Sequence, residues 1–488
     1  MAPIRAKRLR RLSILVPALL ASSACLSVPD LGERPQPRSA ETLATGIAAP
    51  VTPPAGGWPD AGWWRNYGDA QLSALIEAGL AGSPTMDQAA ARVRRADAAA
   101  QQAGARTLPE ISASAQGGIS QQSTSTIDLP PGIELPHRWS DGGQASLSFS
   151  FDLDLWGRNR ATLRAAFSEA EAARADAAQA RLTLSTAIAS SYADLARLAS
   201  VRATSETYLR IRGDTLRVIQ ARERQGLENR AAVMRAESGR AAAAAELAAI
   251  DEQIDLTRNA IAALVGEGPA LGQGIALPAA ARLAAFGLPP DLGIGIVGRR
   301  PDIVAARLRA EAQSQRIRAA RADFYPNIRI SALIGLQALG IGNLLDGGSS
   351  YGSAGPAVSL PIFAGGRIEG GYRGARADYD SAIAGYNQTL IDAVRDVADI
   401  AARQRALTSR LAESRASLAA SDAAFRMLDA RYRGGLATYL EVLSAEDSLN
   451  ASRRAVAELE ASAFILDVAL VRALGGGFLQ PPAQGTLS

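Results

Sequence analysis

The chain is poor in the residues on which most enzymes depend. Its 488 residues include one histidine, His137, and one cysteine, Cys25. That excludes an intramolecular disulfide and the commoner Ser-His-Asp, Cys-His and histidine–metal arrangements within one chain. After the start residue only Met86, Met234 and Met427 remain, with no His/Met cluster for a soft metal. Gly365-Gly366-Arg367 lacks the Lys-Ser/Thr of a phosphate loop. No catalytic residue, metal or cofactor is expected. Aromatics make up 5% of the chain, too few for a thick globular core. Alanine runs such as Ala241 to Ala245 instead let long helices approach closely. Beyond the N-terminus no segment is long and apolar enough to span a bilayer as a helix, which takes about 20 residues.

The formal charge of +4 is misleading. Arg5, Lys7, Arg8, Arg10 and Arg11 precede Cys25 with no acid among them, and without those five the balance is −1. A nucleic-acid footprint therefore has no support. The same stretch, followed by an apolar run from Leu12 to Leu20 and small residues, reads as a signal peptide over 1–24. Cys25 follows Ser22-Ser23-Ala24, where a lipoprotein signal places its acylated cysteine, although Ser22 stands where a good lipobox has Leu. Ordinary signal cleavage at a small residue is the alternative.

What the chain does have is a duplicated pattern. Pro84 and Pro301 lie 217 residues apart, as do Pro109 and Pro326. Gly157-Arg158 and Gly366-Arg367 lie 209 apart, and so do Gly226-Leu227 and Gly435-Leu436. Such spacing marks an internal repeat. Each half holds a first helix beginning at its proline, a proline-free stretch of about 100 Å if helical, and a second helix near 229–265 or 437–474. In the first long stretch only Gly213 interrupts. Leu182, Ile188, Tyr192, Leu195 and Leu198 recur on one helical face, so these helices need partners along their length. The expected boundaries are an N-terminal acylated linker over 25–82, repeat one over 83–266, a linker over 267–299, repeat two over 300–475 and a tail over 476–488.

Between the helices the period drops to two. Ala145 to Leu155 reads ASLSFSFDLDL, with Leu147, Phe149, Phe151, Leu153 and Leu155 on one face. Strands of the same kind start at Ile111 and Ile328, and a fourth is expected near 354–363. Alternation over about ten residues suits a membrane-spanning strand, and equally a soluble hairpin. Gln121 to Gly143 and Gly340 to Gly352 read as loops. Four strands cannot close a barrel, and open edges are not tolerated in lipid. Three copies would supply twelve.

Several segments resemble the TolC/OprM-type outer-membrane factors, in particular their NodT-like lipoprotein branch serving multidrug efflux. They are Trp63-Trp64-Arg65-Asn66-Tyr67 with Leu72 and Leu75-Ile76; Arg299-Arg300-Pro301-Asp302-Ile303 running on to Ala320-Arg321-Ala322-Asp323-Phe324-Tyr325-Pro326; and Tyr432-Arg433-Gly434-Gly435-Leu436 with Tyr439-Leu440-Glu441-Val442-Leu443. The resemblance implies a mainly α protein with membrane β: a trimeric twelve-stranded β-barrel, four strands per protomer, continued by a long helical periplasmic tunnel. It implies a passive exit duct in the outer membrane, served by a periplasmic adaptor protein and an inner-membrane RND-type pump. By position it assigns adaptor docking to the turns Arg224-Gln225-Gly226-Leu227 and Arg433-Gly434-Gly435-Leu436. It assigns the aperture to Leu440, Glu441 and Ser444, where relatives carry an apolar ring and carboxylate rings; Ser444 departs from the acidic pattern. Three Glu441 side chains about 7 Å apart in water would repel by only about 0.6 kcal/mol per pair and would favour cations. The competing readings are a protein-secretion or metal-export channel of the same family, or a structural periplasmic coiled-coil lipoprotein.

Overall fold

In the computed structural model the described residues are 27–39, 43, 58–121, 139–278 and 298–479. A 3-10 turn, Trp63–Tyr67, leads into α1 (Ala70–Gly82) and α2 (Pro84–Ala105). Next come β1 (Glu110–Ser120), β2 (Ser140–Asp152), α3 (Arg158–Arg224), α4 (Arg230–Val265) and the short α5 (Pro269–Gly274). The order then recurs with α6 (Pro301–Ala322), β3 (Asn327–Leu339), β4 (Ser350–Ser359), α7 (Arg367–Arg433) and α8 (Tyr439–Ala473). Corresponding helices match in length: 22 residues in α2 and α6, 67 in α3 and α7, and 36 against 35 in α4 and α8. No helix among the described residues is long and apolar enough to cross a membrane.

The chain forms two compact units, and each draws on both halves of the sequence. One is built mainly from Arg94–Glu171 and Leu308–Ala384, the other from Pro37–Val93, Ala172–Arg307 and Gly385–Ser488.

The first unit holds one antiparallel sheet in the order β1-β2-β3-β4. Register aligns Ile111 with Phe149, Leu147 with Ile334, Phe151 with Ile330, and Ile328 with Val358, so the apolar side chains share one face. Ile111, Leu147, Ile334 and Val358 on that face are exposed. The other face carries a polar ladder: Ser112 to Ser148 at 2.7 Å, Ser114 to Ser146 at 3.0 Å and Gln116 to Gln144 at 3.2 Å. The Gln144 amide also donates to the Tyr351 hydroxyl at 2.5 Å.

Strand boundaries differ from expectation in two places. β2 starts at Ser140, inside the expected loop, and stops at Asp152, short of Leu155. The reason is local: Asp154 takes a positive φ of 46° and turns its carboxylate onto the N–H groups of Asn159 and Arg160, both at 2.9 Å. That caps the start of α3, so the alternation of Leu153 and Leu155 runs past the end of the strand. β4 lies four residues earlier than 354–363, because its glycines and serines pair with β3 despite looking like loop. Gly213 interrupts nothing; α3 runs through it.

In the second unit the family-like motifs become packing. Trp63, Tyr67, Leu72 and Ile76 bury themselves against Ile188, Tyr192, Leu195, Phe464 and Val468. The Tyr67 hydroxyl donates to buried Asp467 at 2.6 Å. Asp69 caps α1 through the Leu72 N–H and accepts from the Tyr192 hydroxyl at 2.7 Å. Arg300 is buried and reaches Asp302 twice, at 3.1 and 2.7 Å, and also the Ala473 carbonyl at 3.3 Å. It ties the start of α6 to the last turn of α8.

Candidate functional site

The two expected tips have the same construction. α3 ends at Arg224, and the N–H of Leu227 returns to the Arg222 carbonyl at 2.9 Å. α7 ends at Arg433, and the N–H of Leu436 returns to the Arg431 carbonyl at 2.8 Å. Both turns need a left-handed residue, Gly226 at φ 74° and Gly435 at φ 75°. Asn229 and Thr438 then cap α4 and α8. Arg224, Gln225, Gly226, Leu227, Arg433, Gly434, Gly435 and Leu436 are all exposed. Leu227 and Leu436 present apolar side chains that are 59% and 72% accessible.

The structure brings the two tips together. Ile219, Val233, Tyr432, Tyr439 and Val442 form a small core beneath them. Across it the Tyr432 hydroxyl donates to Glu228 at 3.0 Å, and the Arg222 guanidinium lies 4.7 Å over the Tyr432 ring. Burial first, then the bond to Glu228, pushes the Tyr432 phenol up to about 12.

Leu440, Glu441 and Ser444 fall in the first turns of α8, all exposed and at helical spacing. Glu441 is engaged with its own helix: its Oε2 accepts from the Thr438 N–H at 2.6 Å and from the Thr438 hydroxyl at 2.9 Å. The hydroxyl in turn accepts from the Glu441 N–H, which completes a capping box. The backbone bond from Thr438, then the side-chain bond, hold the carboxyl below the usual glutamate range. Glu441 is therefore anionic near neutrality and oriented by its helix.

One cluster escaped the sequence reading. Arg212 on α3 is buried, with Glu446 of α8 at 3.3 Å and Asp447 in direct contact. The Arg212 Nε donates to the Tyr208 hydroxyl at 2.8 Å, and that hydroxyl donates to Asp447 at 2.7 Å. Glu446 is 1% accessible, and burial pushes its carboxyl up to about 7, opposed by the nearby Arg212 charge. Burial works against the Arg212 charge, but Glu446, Tyr208 and Asp447 outweigh it and keep its pKa above the ordinary value. Asp447, itself exposed, continues the Leu440–Glu441–Ser444 face by one turn. The only hint in the sequence was an arginine on the apolar flank of a long helix, among many arginines elsewhere. Cys25 lies outside the described residues, and so does His137.

The sequence matches the family described as outer membrane efflux protein over residues 75–267 and again over 296–476. The chain belongs to the outer membrane efflux protein family. The two matched segments fall one on each half of the chain. A multidrug resistance outer membrane protein, MdtP of Shigella flexneri, is 30% identical over 431 residues, 87% of this chain and 88% of that one. The pyoverdine export outer membrane protein OpmQ of Pseudomonas aeruginosa is 29% identical over 475 residues, 95% of this chain and 97% of that one. Among solved structures, the outer membrane protein VceC of Vibrio cholerae shares 42% identity at a TM-score of 0.80, covering 86% of this chain and all of that one. The expected fold class holds: a mainly helical protomer that contributes four antiparallel strands to an outer-membrane channel. The protein is an outer-membrane efflux channel subunit, and its family is one of channels rather than enzymes.

Proposed function

We propose that three copies of this chain close a twelve-stranded barrel and serve as the passive exit duct of a tripartite system, receiving small molecules or drugs from a periplasmic adaptor and an inner-membrane pump. The supporting observation is the sheet. One face is apolar and exposed, the other carries a Ser/Gln ladder, and β1 and β4 are both edge strands. In lipid such edges must be paired, and identical copies offer the matching edges. On this reading residues 1–24 are removed, Cys25 is acylated, and the repeats span 83–266 and 300–475.

The adaptor is assigned to the paired tips, where Arg224, Leu227, Arg433 and Leu436 stand exposed over a packed base. The aperture is assigned to the α8 face of Leu440, Glu441 and Ser444. Three oriented carboxylates at a constriction attract cations. The function is tested by measuring the mass of the native oligomer and its conductance in planar bilayers. A trimer with cation-preferring conductance that weakens in Glu441→Gln is expected. A detergent-independent monomer without conductance would refute the duct.

A further inference from the structure

At one end of the sheet lies a cavity of about 420 Å3 lined by Trp156, Arg160, Arg164, Arg318, Arg321 and Tyr325. We propose that it binds the phosphate headgroup of an anionic glycerophospholipid, one per protomer, a site that rests on the sheet lying in a bilayer. Its volume is within the roughly 300–1,000 Å3 of small-ligand pockets.

The charge is compensated only in part. Arg158 pairs with Asp323 at 3.1 Å and Arg160 with Asp154 at 3.3 Å, and Asp154 is also spent on the first N–H groups of α3. Asp154 and Asp323 are thereby both engaged. Among the described residues Arg318 donates only to the neutral Gln315, at 3.4 Å. Arg164 and Arg321 have no ion pair among the described residues. Guanidiniums crowded into one recess repel, and an anion that bridges them relieves the repulsion. Their planar forks fit phosphate oxygens two at a time. The spacing helps: Arg160 and Arg164 are one turn apart on α3, and Arg318 and Arg321 one turn apart on α6.

The surroundings point to lipid rather than to a soluble anion. The Trp156 and Tyr325 rings stack at 4.7 Å, and the Trp156 indole N–H is committed to the Pro326 carbonyl at 2.8 Å. Trp and Tyr favour the level of the headgroups. Leu108 precedes β1, Leu155 follows β2, and Ile362 and Phe363 follow β4, so the antiparallel register puts all four at this same end of the sheet. All four are exposed, Phe363 by 90%. A headgroup in the cavity would leave its acyl chains beside these residues and the apolar sheet face. A zwitterionic lipid offers the same phosphate but brings an ammonium that the arginines repel.

The full-length protein in non-ionic detergent is titrated with phosphatidylglycerol, phosphatidylcholine and inorganic phosphate and followed by native mass spectrometry. Phosphatidylglycerol should stay bound under activation that strips phosphatidylcholine. The double variant Arg164→Ala/Arg321→Ala should retain about tenfold less of it, and the double lysine variant an intermediate amount. Inorganic phosphate should not displace it. Equal retention of the two lipids by the native protein would overturn the proposal, as would undiminished retention by the alanine variant. Displacement by inorganic phosphate would make the cavity a free-anion site and defeat the lipid assignment. The native lipid comparison needs no variant to fold. Oligomer mass and conductance read on the same sample separate loss of the lipid site from loss of the channel.

Discussion

At the residue scale, two buried charges decide how the helical unit holds together. Arg300 answers Asp302, Asp396 and the last carbonyl of α8 from a nearly closed position. Removing it leaves half-buried Asp302 without its guanidinium, while the more accessible Asp396 keeps Arg395 at 3.6 Å. Arg300→Ala should cost about 1–3 kcal/mol of stability, read as a lower unfolding midpoint, and Arg300→Lys should recover only part because the bidentate fork is gone. Glu446 behaves differently. Its pKa is raised from 4.5 to about 7 on folding, so the stability it contributes is complete below about pH 4.5 and is lost as pH climbs through about 7. The thermal midpoint should fall between about pH 5 and pH 8, and Glu446→Gln, which carries no proton equilibrium, should flatten that fall. An equally steep profile in the variant would remove Glu446 as its source.

At the element scale, the helix ends carry the most information per residue. Gly435 sits at φ 75° whereas the adjacent Gly434 does not adopt a positive φ. Gly435→Ala should therefore destabilise the α7–α8 turn by about 1–2 kcal/mol, seen as faster hydrogen exchange around the tip. Gly434→Ala should do much less. The landmarks legible in the sequence were of this kind: the prolines that open α2 and α6, the glycine turns, and the long proline-free stretches between them. The apolar positions Leu182 to Leu198 were legible too, because a helix buried on one side repeats its pattern every turn. Strand ends were harder to read. Nothing in Leu153 or Leu155 announces that Asp154 will abandon the ladder to cap a helix, and the Gly/Ser content of β4 imitates a loop. The Arg212–Glu446 cluster was invisible for another reason. It joins residues 234 positions apart, and no local pattern distinguishes a buried arginine from a solvated one.

At the scale of the whole molecule, each compact unit draws on both halves of the chain. The Glu441 carboxyl, held low by Thr438, extends this to behaviour in the assembly. Cation preference of the conducting trimer should persist at about pH 5 and fade only below the ordinary glutamate range. Thr438→Ala should move that fade to higher pH while leaving the oligomer mass unchanged. Preference lost already near neutrality would take the aperture away from Glu441.

The serine and glutamine rungs that join β1 to β2 have a consequence for how the barrel is made. Sliding either strand by one position would turn hydroxyls toward hydrocarbon and isoleucine, leucine and phenylalanine toward water. Lipid thus rejects any pairing shifted by an odd number of residues, and the bilayer acts as a proofreader of facing during insertion, before any pump or cargo arrives.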